Sequence, residues 1–140
     1  MPVYFHTESV QFSFNRRRLI KKWIRLVIEN HKNSTGSINI IFTSNNYLLS
    51  VNKEYLNHNY NTDVITFEYN EEKLISGDIF VSVEQVKINA ESFDNSFENE
   101  LNRVVIHGVL HLLGFNDSTP DEKKEMREEE DKALALLNTV

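Results

Sequence analysis

The sequence predicts a single α+β domain, a mixed sheet of about four strands packed with about five helices. Three observations carry that prediction. The first two thirds of the chain are strand-rich with helical segments interspersed, and the end is helical. No internal repeat or low-complexity linker divides the 140 residues, a length that fits one domain with a real hydrophobic core. Residues 104–113 are apolar on nearly every face, which marks a central helix buried on all sides.

The elements follow in order. Residues 3–14 carry Val3, Phe5, Val10, Phe12 and Phe14, an alternation that predicts one or two short strands. Asn15 is the expected N-cap of a helix from about Arg16 to Asn30, whose apolar stripe is Ile20, Trp23, Ile24, Val27 and Ile28. Asn33-Ser34-Thr35-Gly36 reads as a turn, and Ser37 to Thr43 as a β-branched strand. Ser44 caps a helix of about Asn45–Tyr55, with Leu48, Leu49 and Val51 inward. After a polar loop, Asp63–Tyr69 and Leu74–Val83 form an antiparallel hairpin across the turn Asn70-Glu71-Glu72-Lys73. Ser82 caps a helix of about Val83–Ser92, and Asp94, Asn95 or Ser96 caps the central helix of about Phe97–Leu113. Ser118 to Glu122 opens the last helix, with Pro120 at its first position and Met126, Ala133, Leu134, Leu136 and Leu137 along it. Its run Glu128-Glu129-Glu130-Asp131 reads as a solvated face.

Composition narrows the function classes. There is no cysteine, which excludes a disulfide scaffold and a thiolate metal site. No stretch approaches the roughly 20 apolar residues of a membrane span. No charged region leads into an apolar run at the N-terminus, so the expected location is cytoplasmic. The net charge of −6 is unevenly spread: residues 1–60 hold eight Lys/Arg against three Asp/Glu, residues 61–140 seven against eighteen. Six of the cations, Arg16, Arg17, Arg18, Lys21, Lys22 and Arg25, crowd the first helix. They read either as a solvated face or as a surface for a phosphate backbone.

Residues 107–117, His-Gly-Val-Leu-His-Leu-Leu-Gly-Phe-Asn-Asp, carry the chemistry. Four residues apart on a helix, His107 and His111 share one face. Gly114 can end that helix in a left-handed turn and return Asp117 beside the two imidazoles. Two nitrogens, one carboxylate oxygen and an open position form a plausible catalytic zinc set. The bland reading, two core histidines bonded to carbonyls, must find partners for both rings on one apolar face. Mid-helix Gly108 costs about 1 kcal/mol against Ala and points to a close backbone approach. The spacing also matches the metzincin frame. A metzincin places its general base directly after the first histidine, and here Gly108 occupies that position.

The same stretch resembles the YbeY family of bacterial ribosomal-RNA maturation endoribonucleases, whose signature is His-Gly-x-Leu-His-Leu-x-Gly-Tyr-x-His. Gly108, Leu110, Leu112 and Gly114 agree, with Phe115 for Tyr. Asn52 to Tyr55, Thr62-Asp63-Val64-Ile65-Thr66-Phe67 and Gly77-Asp78-Ile79 resemble two further family segments, in the family's order. The similarity runs from about residue 37 to the C-terminus. Two positions depart: Asp117 stands where the family usually has histidine, and Leu56 where most members have arginine.

The resemblance implies one metallohydrolase domain over residues 1–140, and a metal-dependent, single-strand-specific endoribonuclease acting in ribosomal RNA maturation and ribosome quality control. His107, His111 and Asp117 would hold one Zn2+ or another divalent ion. Asp63 and Asp78 are catalytic candidates by family position, each equally readable as a turn or cap carboxylate. His58 or a first-helix cation would stand in for the missing arginine. The implied partners are single-stranded ribosomal RNA and the small ribosomal subunit, with no membrane and no DNA. Two alternatives stay open: a metalloprotease-like hydrolase, and a ribosome assembly factor with a structural metal.

Overall fold

The computed structural model describes residues 3–56 and 62–140. His58 lies outside the described residues. The elements are β1 (Val3–Glu8), α1 (Arg17–Asn30), β2 (Ser34–Thr43), α2 (Asn45–Leu56), β3 (Val64–Glu68), β4 (Leu74–Ser82), α3 (Val83–Ser92), α4 (Phe97–Leu112) and α5 (Pro120–Leu137). The sheet order is β1-β2-β4-β3, with β1, β2 and β4 parallel and β3 antiparallel to β4. The α+β class, the mixed four-strand sheet and the β3–β4 hairpin are as the sequence implied. No described helix is long and apolar enough to cross a membrane.

One face of the sheet makes the main core. Ile38, Ile40, Phe42, Ile75, Ile79 and Val81 are buried there against α1, α3, α4 and α5. The expected stripe of α1 is buried in full, and Trp23 Nε1 donates to the Ala133 carbonyl of α5 at 2.7 Å. On the opposite face α2 covers only one side, packing Leu48 and Val51 on Ile65.

Three local expectations are corrected. Residues 11–16 form no strand. The alternation of Phe12 and Phe14 instead seats both rings on an aromatic cluster with Phe5, Phe42 and Phe97, at centroid distances of 4.9–6.0 Å. Asn15 does not cap α1. The N-cap is Arg16, without a side-chain cap bond; Arg16 pairs with Glu98 and Arg17 Nε donates to the Phe14 carbonyl at 3.1 Å. Residues 33–36 are not the turn either. The reversal falls at Lys32, with φ 65°, and β2 begins at Ser34 with an irregularity between Thr35 and Ile38.

The central helix lies unusually close to the sheet. A Cβ on Gly108 would stand 2.7 Å from Ile79 Cγ2, and one on Gly77 would stand 2.8 Å from Leu112 Cδ2. Ile79 is fully buried and branched at Cβ, so it has little room to yield. Gly108→Ala is therefore expected to destabilise the protein by about 1–2 kcal/mol, the overpacking cost exceeding the gain in helix propensity. Urea unfolding measures this, and a variant as stable as the parent would contradict the close approach.

Candidate metal centre

Ser96 caps α4, accepting from Asn99 N–H at 3.1 Å, and the helix carries His107 and His111 on one face. Their Nε2 atoms stand 2.9 Å apart. The helix closes in a paired-bond turn: Phe115 N–H donates to Leu110 O and Gly114 N–H to His111 O, both at 3.0 Å. Gly114 adopts φ +102°, as its place after the helix predicts. The reversed chain brings Asp117 Oδ2 to 3.2 Å from His107 Nε2 and 3.6 Å from His111 Nε2. Beyond it, a capping box between Thr119 and Glu122 starts α5 at Pro120 and holds the far end of the loop.

The other ring nitrogens are also engaged. Glu130 Oε2 lies 2.6 Å from His107 Nδ1, and the Phe115 carbonyl 3.0 Å from His111 Nδ1. Both oxygens accept, so each Nδ1 carries a proton and each Nε2 is the nitrogen turned inward to ligate once it is unprotonated. Arg103 Nη1 in turn donates to Glu130 Oε1 at 2.8 Å, and its Nη2 to Asp131 Oδ1 at 2.8 Å. Glu130 corrects the solvated-face expectation for residues 128–131. It is only 5% exposed, because it falls on the buried stripe of α5 with Met126, Ala133 and Leu137. That spacing was the available signal; the neighbouring acids masked it.

The three facing atoms fit a metal ion. Tetrahedral ligation at about 2.0–2.1 Å puts ligand atoms roughly 3.3 Å apart, and here they are 2.9, 3.2 and 3.6 Å apart. Among the described residues, these three form the group able to hold an ion. Burial pulls the His107 imidazole down, but the Glu130 carboxylate, with Asp117 and Asp63 nearby, outweighs it and holds the group above the ordinary histidine value. Burial, followed by the charge on His107, holds His111 below that value. Burial would raise Glu130, yet its bonds from His107 and Arg103 hold it low.

His107 and Asp117 open onto a cleft of about 320 Å³, whose lining includes Asp63, Asn89, Glu100, Arg103, Arg127 and Glu130. Asp63 thus lines the cleft onto which the centre opens. It accepts from Asn89 Nδ2 at 3.1 Å, and burial pushes its carboxyl up, an effect His107 offsets only in part. Asp78 does not reach it. It points to the opposite face of the sheet from Gly77 and Ile79, accepting there from Asn39 Nδ2 at 3.1 Å and Tyr69 OH at 3.2 Å. Leu56 and the α1 cations are absent from the cleft lining as well. Arg16, Arg17, Arg18 and Lys22 are exposed on α1, while Lys21 and Arg25 are half-buried. The cations in the cleft are Arg103 and Arg127, neither of which the sequence singled out.

Two outcomes follow. Glu130→Gln keeps the size but removes the charge behind His107, and is expected to weaken zinc binding about 10- to 100-fold in chelator competition while the protein stays folded. Unchanged affinity would show that Glu130 does not support the ligand. Metal affinity should also fall as the pH drops through the raised His107 pKa, since that proton must leave before Nε2 can ligate. An affinity that stays constant in calorimetric titrations from pH 5.5 to 8 would contradict this.

Comparison with known proteins agrees with the geometry. The profile described as endoribonuclease YbeY matches residues 3–138. A curated endoribonuclease YbeY from Parabacteroides distasonis is 43% identical over 137 residues, covering 98% of this chain and 96% of its own. That of Bacteroides thetaiotaomicron is 43% identical, covering 97% and 99%. The solution structure of a Thermotoga maritima protein superposes with a TM-score of 0.67 at 29% identity, covering 96% of this chain and 88% of that one. The chain belongs to the endoribonuclease YbeY family.

Proposed function

We propose that the protein cleaves single-stranded ribosomal RNA with one divalent ion, zinc by donor set, held by His107, His111 and Asp117. The enzyme class follows from the family: the chain is an endoribonuclease, which hydrolyses RNA phosphodiester bonds. The observation that carries the rest is the convergence of two Nε2 atoms and one carboxylate oxygen, with His107 and Asp117 opening onto a cleft that a buried carboxyl, Asp63, also lines. Maturation of ribosomal RNA, action at the small subunit and a cytoplasmic location complete the proposal on the strength of the family resemblance. So does the assignment of the chain as one metallohydrolase domain.

When bound, the ion would supply Lewis acidity to a phosphate oxygen and lower the pKa of water. Glu130 and the Phe115 carbonyl keep the two imidazoles in the donor tautomer throughout. Asp63 takes the proton of the attacking water or hydroxyl. Its raised pKa makes it a better base than a solvated aspartate. With the ion in place the cleft is close to electroneutral. Asp63, Glu100, Asp117 and Glu130 balance Arg103, Arg127 and the two charges of the ion. An RNA phosphate can therefore approach without facing a net negative wall.

The alternatives lose ground on specific features. A metallopeptidase base beside His107 has no side chain to work with, since Gly108 is pressed on Ile79. A purely structural ion is bound in a closed four-ligand shell. Here the described ligands number three, and two of them, His107 and Asp117, border an open cleft.

Asp117→Ala is expected to lose bound zinc and cleavage of a single-stranded RNA together, and Asp117→His to restore both. Full metal occupancy and unchanged cleavage in the alanine variant would sink the ligand assignment. Asp63→Asn should retain the metal yet cleave about 10²- to 10⁴-fold more slowly. A rate within a few-fold of the parent would remove Asp63 from catalysis.

A further inference from the structure

The rim of the cleft carries two side chains that the metal chemistry does not use. Phe93 is 68% exposed, the highest exposure of any large hydrophobic residue described, and it belongs to neither core cluster. It nevertheless lines the same cleft as His107, Asp117 and Asp63. Its backbone is not loose. Phe93 N–H donates to Asn89 O at 2.9 Å, Asn95 N–H to Ala90 O at 2.8 Å, and between them Asp94 takes φ 51°. The ring is thus presented by a fixed turn at the end of α3. The preceding turn of that helix supplies Asn89, which holds Asp63.

Arg127 is the second. Arg103 spends both ends of its guanidinium on Glu130 and Asp131, each at 2.8 Å. Arg127 has a side chain 65% exposed and only a 3.9 Å approach to Glu130. Of the two cations in the cleft, it is the one with donors to spare for a ligand. Leu56 supplies no such group, and its helix does not line the cleft.

We propose that Phe93 and Arg127 form a nucleotide subsite beside the metal centre: the Phe93 ring stacks on an unpaired base while Arg127 holds a backbone phosphate next to the one being cleaved. The proposal rests on the endoribonuclease reading and adds to it the part of the substrate that is recognised. An exposed aromatic and a guanidinium with donors to spare, lining one cleft, are the combination that binds single strands with little sequence preference. It also accounts for a preference for single strands at this site, because a base already paired and stacked in a duplex cannot offer its face to Phe93.

The test uses the zinc-loaded protein. The chain has one tryptophan, Trp23, which is fully buried, so Phe93→Trp introduces a single exposed indole, excited selectively over the tyrosines. Its fluorescence should be quenched by a single-stranded RNA octanucleotide, and not by the same strand in a duplex or by an abasic strand of equal charge. Equal quenching by the abasic strand would overturn the stacking role. In cleavage assays Phe93→Leu should raise KM roughly tenfold while Phe93→Trp does not, with zinc content and thermal stability held. A leucine variant with the parent KM would mean that any apolar side chain suffices and would also overturn it. Arg127→Gln should reduce the slope of log affinity against log salt by about 0.7, the loss of one phosphate contact on a single strand. An unchanged slope would remove Arg127 from the subsite. Quenching and salt slope are read by stopped flow, before appreciable turnover, so a failure of the cleavage reading is distinguishable from a failure of the subsite.

Discussion

Two imidazole Nε2 atoms held 2.9 Å apart, with both Nδ1 protons bonded elsewhere, are the constraint on which the site depends. Left to themselves, neutral histidines would rotate so that an N–H met a lone pair. Here each Nδ1 proton is already committed, to Glu130 on one ring and to the Phe115 carbonyl on the other. Rotating either ring would break a bond in a half-buried setting, at a cost of about 1–3 kcal/mol for each group left unpaired. What relieves two facing lone pairs and a carboxylate oxygen is a cation: a proton on His107, which its carboxylate neighbours favour, or the metal ion that displaces it.

Three glycines make that arrangement possible, each for a different reason. Gly108 and Gly77 let α4 settle on the sheet closely enough to set the depth of the histidines. Gly114 has open space around it, and what it contributes is conformation. At φ +102° it turns the chain so that one carbonyl fixes His111 and one carboxylate completes the ligand set. The same loop is anchored beyond Asp117 by the Thr119–Glu122 capping box. A short segment between two well-capped helices thus places a ligand without needing a core of its own.

Much of this was legible in the chain, and the exceptions have physical causes. The histidine pair, Gly114 and Asp117 could be read because helical spacing and a left-handed turn are local rules. The cap at Ser82, a cap for α4 among Asp94, Asn95 and Ser96, and the start at Pro120 were readable for the same reason. The failures came where tertiary contacts overrode a local pattern. Phe12 and Phe14 alternate like a strand but pair with rings rather than with a backbone neighbour. Glu130 lies in an acidic run, and only its register with Met126 and Ala133 distinguishes it from its exposed neighbours. Asp63 and Asp78 were equivalent as sequence; the bend before β3 takes Asp63 into the cleft, while Asp78 lies on the sheet face away from α4. Arg127 and Phe93 carry no local signature, because their relevance comes from helices α3 and α5 meeting around α4.

The central claim is that the two histidines ligate through Nε2 while their Nδ1 protons stay in place. Long-range proton–nitrogen NMR of the imidazoles, followed through a zinc titration, tests it most directly. One equivalent of zinc is expected to move the Nε2 resonances of His107 and His111 together into the metal-bound range, leaving both Nδ1 nitrogens protonated. Nε2 resonances that do not respond, or a metal-bound Nδ1 on either ring, would contradict the account.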